Sequence, residues 1–325
     1  MPHRPLARRP LLLGSLGSLA ALLSGPARAQ TKPIRLIVPF TPGGTADILA
    51  RAVAPFLGAP GQTVVIDNKP GAGGSIAADL VAKAEPDGQT LLMGHVGTMA
   101  VNPSLYPKLP YDPLRHFAPV AHVARIPNVL VVNAHSDIRT LEDLIARAKA
   151  KPGEFSYASG GNGSAAHITF ESLKLRAGFP AEHIPYRGTA PAVTDLLAGQ
   201  VQATFTGIPA LLPHLKAGKL RALAVSSSRR LAVLPDVPTV AERGFKGFEA
   251  DQWYGLVAPA GTPAALVSAF NDRVNKGLSS AEVERQLSHE GADPEPMSPQ
   301  AFGQLIAQEI PRWREVVRAG NVRPD

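Results

Sequence analysis

The sequence predicts an α/β protein. Three observations carry that reading. Short apolar runs alternate with stretches of helical periodicity, no tandem repeat of fixed period is present, and two separate strands each run into a pair of glycines and then a helix. The alternation also predicts mostly parallel strands, because a helical crossover returns the chain in the same direction. At 325 residues, with 45% hydrophobic and 18% charged side chains, the chain can bury a sizeable core and is long enough for two ordinary domains.

Ile34-Arg35-Leu36-Ile37-Val38 reads as the first strand, and residues 46–57 as a helix with Ile48, Leu49, Val53 and Phe56 on one face. Residues 63–66 form a second strand, 74–84 a second helix and 90–93 a third strand. Residues 103–119 are rich in proline and turn formers and read as an ordered surface crossing. A new strand series opens at 129–132. The helix at 141–149 is led by Thr140, with acids at its start and bases at its end, as the helix dipole prefers. Strands at 155–158, 184–186, 202–205 and 221–225 follow, with helices at 165–177 and 191–197 between them. Trp253 opens an apolar run over 254–258, and helices at 263–278 and 299–319 end the chain.

Residues 1–29 read as an export leader. Arg4, Arg8 and Arg9 make a basic start, the apolar stretch from Leu11 to Leu23 is too short to span a bilayer, and Ala27-Arg28-Ala29 supplies a small-x-small cleavage site. Gln30 is then the mature N-terminus. The adjacent Arg8-Arg9 fits the twin-arginine route, and an ordinary Sec signal fits as well. The leader's four cations account for more than half of the formal charge of +7, leaving +3 on the mature chain. No arginine stripe or lysine run remains, so nucleic acid is not a predicted partner. The absence of cysteine excludes disulfides, thiolate metal sites and a cysteine nucleophile. The nine histidines are scattered without metal spacing, so no metal and no cofactor are predicted.

The two glycine loops are the candidate site. The first holds Phe40, Thr41, Pro42, Gly43, Gly44 and Thr45, with Asp47 in the helix behind it. The second holds Ser159, Gly160, Gly161, Asn162, Gly163 and Ser164, with His167 one turn into its helix. Both lie between the carboxyl end of a strand and the amino end of a helix. Free N–H groups and the positive end of the helix dipole converge there, which favours an anion. Each loop is equally a tight turn taken alone; two of them in two halves of one chain favour a ligand in a cleft. Asp47 and Asp195 sit at helix starts and fit either a dipole role or a direct one. His167 fits capping and packing as well as ligand contact. Gly161-x-Gly163-x-x-Ala166 matches the dinucleotide fingerprint, but Glu182 precedes the next strand where the ribose-binding acid should end it. Gly71-Ala72-Gly73-Gly74-Ser75-Ile76-Ala77 has a nucleophile-elbow look, yet Asn68-Lys69-Pro70 separates it from its strand.

The mature chain resembles the substrate-binding proteins of tripartite tricarboxylate transporters, the Bug family, nearly end to end. The resemblance rests on Pro33-Ile34-Arg35-Leu36-Ile37-Val38-Pro39-Phe40, Pro42-Gly43-Gly44 with Asp47, Asn68-Lys69-Pro70-Gly71-Ala72-Gly73-Gly74 and Pro86-Asp87-Gly88. Leu109-Pro110-Tyr111-Asp112-Pro113, His183-Ile184-Pro185-Tyr186-Arg187-Gly188, Trp253-Tyr254-Gly255-Leu256 and Pro259-Ala260-Gly261-Thr262-Pro263 add to it. It departs at His116, where relatives commonly carry an acid before Phe117-Ala118-Pro119-Val120.

The resemblance implies a two-lobed periplasmic-binding-protein fold of the Venus-flytrap kind, type II-like. Residues 30–128 and 250–325 would form lobe one and residues 129–249 lobe two. It implies a small carboxylate between the lobes, held by the two glycine loops, with Thr98, Thr189 and Thr206 as further cleft residues by position. It also implies a periplasmic monomer without catalysis, partnered by the large and small membrane subunits of such a transporter. Two other functions fit less of the sequence: a ligand sensor docking to a membrane receptor, and an exported serine hydrolase using Ser75 or Ser164 with His167.

Overall fold

β1 (Ile34–Val38) is an interior strand of a first sheet, and apart from Arg35 it is buried. A strand covered by helices on both faces has no polar side, which is why its sequence is a near-continuous apolar run. α1 (Thr45–Leu57) carries the chain to β2 (Val64–Asn68), and α2 (Ser75–Ala82) carries it on to β3 (Thr90–His95). β2 and β3 flank β1 in parallel, with Leu36 opposite Ile66 on one side and Leu91 on the other. The computed structural model describes residues 32–289 and 291–324; the leader assigned to residues 1–29 lies outside the described residues.

After β3 the chain winds through a wide π-helical turn (Gly97–Val101) into the short α3 (Asn102–Leu105), then through irregular structure to β4 (Phe117–Ile126). Phe117, Ala118 and Pro119, read from sequence as the end of a surface crossing, are instead the first residues of this strand. Pro127 then separates β4 from β5 (Asn128–Asn133), the first strand of a second sheet. There follow α4 (Leu141–Ala150), β6 (Ser156–Ser159), α5 (Ala165–Ala177), β7 (Glu182–Pro185), α6 (Thr189–Leu197), β8 (Ala203–Gly207), α7 (Leu212–Lys216) and β9 (Leu220–Val225). Thr140 caps α4 in a reciprocal box with Asp143, as its sequence position suggested. The chain returns through β10 (Gln252–Pro259), α8 (Ala264–Leu278), α9 (Ala281–His289), β11 (Asp293–Pro294) and α10 (Pro299–Ala319).

The first sheet has the order β11-β4-β10-β3-β1-β2 and the second β7-β6-β8-β5-β9, giving two lobes. Both sheets are mixed, which corrects the expectation of mostly parallel strands. β1, β2 and β3 are parallel to one another, as are β6, β7 and β8, but β10 is antiparallel to both β3 and β4, and β5 to both β8 and β9. The antiparallel strands are those by which the chain leaves one sheet and enters the other. Side chains alternate with period two in either strand direction, so the sequence pattern does not report it.

The chain passes between the sheets twice among the described residues, at Pro127 and through the segment that precedes β10. α8 and α10 both pack on β4, and α1 packs on α8. Fully buried Trp253 and nearby Trp313 both direct their indole N–H groups at the buried Glu309 carboxylate, at 3.4 and 2.8 Å, pinning α10 to β10. No helix among the described residues is long and apolar enough to cross a membrane.

Candidate functional site

Three helices begin at one place. α1 starts after Gly44, α5 after Ser164 and α6 after Gly188. The starting ends of all three line a single chamber, together with Phe40, His95 at the end of β3, Thr206 of β8, and Gln252 and Tyr254 of β10. The chamber is tight: its cavity volume is about 10 Å³, room for about one water molecule. None of its lining residues is Asp, Glu, Lys or Arg. The first N–H groups of a helix have no acceptor within that helix, and the dipole adds positive potential at the same point. Both lobes therefore present donors to one small space.

Asp47 is why the first loop holds its shape. Its carboxylate is buried and accepts the Gly43 N–H at 3.0 Å, Arg51 Nε at 2.9 Å and Asn68 Nδ2 at 3.2 Å. Asn68 Nδ2 also donates to the Phe40 carbonyl at 2.8 Å. Burial pushes the Asp47 pKa up, but the hydrogen bonds from Arg51, Gly43 and Asn68 together outweigh it and hold the group below its ordinary value. Asp47 thus faces the back of the loop and is not among the chamber's lining residues.

The second loop is shaped by a buried ring stack. Gly163 donates its N–H to His167 Nδ1 at 3.2 Å, and the His167 ring lies 3.6 Å from His183 at an interplanar angle of 17°. Ser159 Oγ accepts the Gly161 N–H at 3.1 Å and sits 2.6 Å from His183 Nε2. Burial drives the pKa of His167 down to about 2, with His183 and Lys174 adding to the effect, and that of His183 to about 3. The Ser164 hydroxyl accepts the His167 backbone N–H as a helix cap, and Ser75 Oγ accepts from Asn102 Nδ2. Each hydroxyl proposed from sequence as a nucleophile therefore has a structural partner.

Of the residues proposed from sequence, Phe40, Gly44, Thr45, Gly160, Ser164, Thr189 and Thr206 line the chamber. The Thr189 and Thr206 hydroxyls, both on the second lobe, stand 3.5 Å apart in its wall. Thr41, Pro42, Gly43, Ser159, Asn162 and Gly163 belong to the same loops without lining it. Gly161 lines instead a second hollow with Gly160, Tyr186, Arg187 and the loop of residues 70–74. Asp195 accepts a 2.6 Å hydrogen bond from Tyr186. Thr98 lies behind His95, bonded to its backbone and ring.

Ala46, His95, Ala165, Ala166, Gln252 and Tyr254 line the chamber and were not singled out from sequence. The alanines follow directly from the helix starts. The other three depend on β10 lying beside β3, with Tyr254 opposite His95, a pairing between distant stretches of chain. Among the described residues no cluster of His, Cys, Asp and Glu is placed to hold a metal ion.

Comparison with known proteins agrees with this architecture. Residues 49–322 match the tripartite tricarboxylate transporter family receptor. Protein BugT of Bordetella pertussis is 42% identical over 314 residues, covering 94% of this chain and 96% of that protein. Among solved structures, Rpa4515 of R. palustris with adipate is 39% identical with a TM-score of 0.88, covering 91% of this chain and 99% of that one. MatC of Rhodopseudomonas palustris with bound malate is 35% identical with a TM-score of 0.85, covering 88% and 99%. On sequence and on fold, the chain belongs to the tripartite tricarboxylate transporter receptor family, whose members include the Bug proteins.

Proposed function

We propose that this protein captures a small organic acid in the periplasm and delivers it to the membrane subunits of a tripartite tricarboxylate-type transporter. The observation that carries the reading is the convergence of three helix N-termini, from both lobes, on one chamber without a charged side chain. A carboxylate offers acceptors only, and these walls offer mainly donors. The relatives bound to adipate and to malate point to the same ligand class.

Lobe one would comprise residues 30–128 and 250–325, and lobe two residues 129–249, with residues 1–29 removed on export. The carboxylate would lie against the Gly44–Ala46 turn of lobe one and the Ser164–Ala166 and Thr189 ends of lobe two. Only a closed arrangement lets one ligand touch both, so binding would shift an open–closed equilibrium toward closure. The protein would act as a monomer and without catalysis, since Ser164 and His167 serve the helix start and the loop.

A thermal-shift series with acetate, malate, adipate and benzoate tests the reading. A ligand at 100 times its Kd adds about 2.7 kcal/mol, which raises the melting temperature by a few degrees for a chain of this size. A melting temperature unmoved by every one of these acids would refute the carboxylate assignment. N-terminal sequencing of exported material tests the leader, and a mature start at Gln30 is expected.

A further inference from the structure

We propose that His95 is a ligand-binding residue of the first lobe, donating its Nε2–H to an acceptor oxygen of the bound acid. The proposal rests on the carboxylate reading of the chamber.

His95 ends β3, and its ring lines the chamber between Phe40, at 4.8 Å edge-on, and Tyr254, at 5.6 Å. The residue is 1% exposed. Its backbone N–H donates to Thr98 Oγ1 at 3.1 Å, and the Thr98 hydroxyl donates back to the His95 carbonyl at 3.1 Å. The Thr98 backbone N–H donates to His95 Nδ1 at 3.2 Å. With Nδ1 accepting, the neutral ring carries its proton on Nε2. Burial lowers the ring's pKa to about 3, so the neutral form persists at physiological pH.

That Nε2–H is buried and has no hydrogen-bond partner. A buried donor left unmade costs stability, and such groups are rare unless something outside the chain completes them. Gly97 follows two residues later, and a Cβ there would stand 2.7 Å from both Nε2 and the Gly163 carbonyl oxygen, so only glycine lets the ring and the second loop approach this closely. The π-helical turn that begins at Gly97 brings Thr98 back onto Nδ1 and so sets the tautomer. One unmatched buried donor in the wall of a charge-free chamber fits a ligand rich in oxygen acceptors.

Two substitutions separate a binding role from a structural one. His95→Asn can still accept the Thr98 N–H but has nothing at the Nε2 position. His95→Gln loses that acceptor but places an amide donor near Nε2. Titration calorimetry with acetate, malate, adipate and benzoate should find wild type binding at least one acid. His95→Asn should bind it at least tenfold more weakly, while His95→Gln stays within a few-fold of wild type. In wild type, ¹⁵N NMR should show the Nε2–H tautomer before ligand is added and a shift of its signal at saturation. Binding kept by His95→Asn and lost by His95→Gln, binding unaffected in both, or an Nε2 signal unmoved by saturating acid overturns the proposal. If both variants lose binding, the wild-type NMR shift decides. A wild-type protein that binds none of the four acids instead overturns the carboxylate reading itself, and this proposal with it.

Discussion

Gln252 donates a 2.5 Å hydrogen bond to Asn128, tying together the two points at which the chain passes between its sheets. Asn128 opens β5 directly after the first passage, and Gln252 opens β10 directly after the second. Asn128 Nδ2 also donates to the Ala250 carbonyl at 2.6 Å and to Thr169 Oγ1 at 3.0 Å. Gln252 Oε1 accepts the Tyr254 hydroxyl at 2.7 Å, so the same network reaches the chamber wall.

Asn128→Ala should therefore be costly. It strands the Gln252 amide and deprives the Ala250 carbonyl of a donor, both in buried surroundings. A loss of about 1–3 kcal/mol in stability is expected, read from urea denaturation. Ligand affinity should fall as well, because Tyr254 is held through Gln252. A variant as stable as wild type would show that the junction is not a structural tie.

Gly44→Val should weaken binding at least tenfold, about 1.4 kcal/mol. Gly44 has φ −84° and ψ 170°, an extended conformation that valine adopts freely, whereas neighbouring Gly43 has φ +79°. A Cβ on Gly44 would lie 3.7 Å from Thr189 Cβ of the opposite lobe, and the branch methyls would extend from there into the space between the loops. The effect should be one of occupancy, without backbone strain. Circular dichroism should show a native melt while calorimetry shows the affinity loss; unchanged affinity in a folded variant would place the ligand elsewhere.

Stability should fall as the solution is acidified from pH 7 to pH 5. His95, His167 and His183 have folded pKa values pushed down by burial to about 3, about 2 and about 3, so only the unfolded chain takes up their protons as pH drops through 6.5. Each contributes a loss of about 2 kcal/mol by pH 5, and less than additively for the stacked His167–His183 pair. His122, also lowered by burial, acts in the same direction. Asp251 acts the other way. Burial raises its pKa to about 6, so it gains a proton in the folded state first and offsets roughly 1 kcal/mol of the loss. Urea midpoints at the two pH values give the net sign, and a midpoint that rises toward pH 5 would contradict it.

Closure should be visible in solution. Small-angle scattering with saturating ligand should give a smaller radius of gyration than without it. A radius that stays the same while binding is independently confirmed would mean that the lobes do not move on the ligand.

The two glycine loops were legible because everything they need is local: a strand end, glycines and a helix start within a few residues. β4 was not, because Pro119 near its start reads as a loop residue. In the fold it sits opposite Val257 beside a register shift, where a proline is tolerated. α9 was missed because its buried apolar residues are only Val283 and Leu287, too few to stand out as a period. His95, Gln252 and Tyr254 were out of reach for a different reason. Their meeting depends on β10 returning beside β3, more than 150 residues along the chain. Asp47 shows a third limit. Its position in the first turn was plain, but whether it faced the ligand or held Gly43 depends on Asn68 and Arg51 closing around its carboxylate.

The chamber's reliance on helix ends bears on how the protein can change over generations. A side-chain cation that binds an acid can be lost in one substitution, but a main-chain N–H is rewritten only by proline. Affinity for an anionic group is then inherited with the fold, and preference among acids is left to a few wall positions such as Phe40, Thr206 and Tyr254. Duplicated copies of such a gene can diverge toward new nutrients without first losing the capacity to hold an acid.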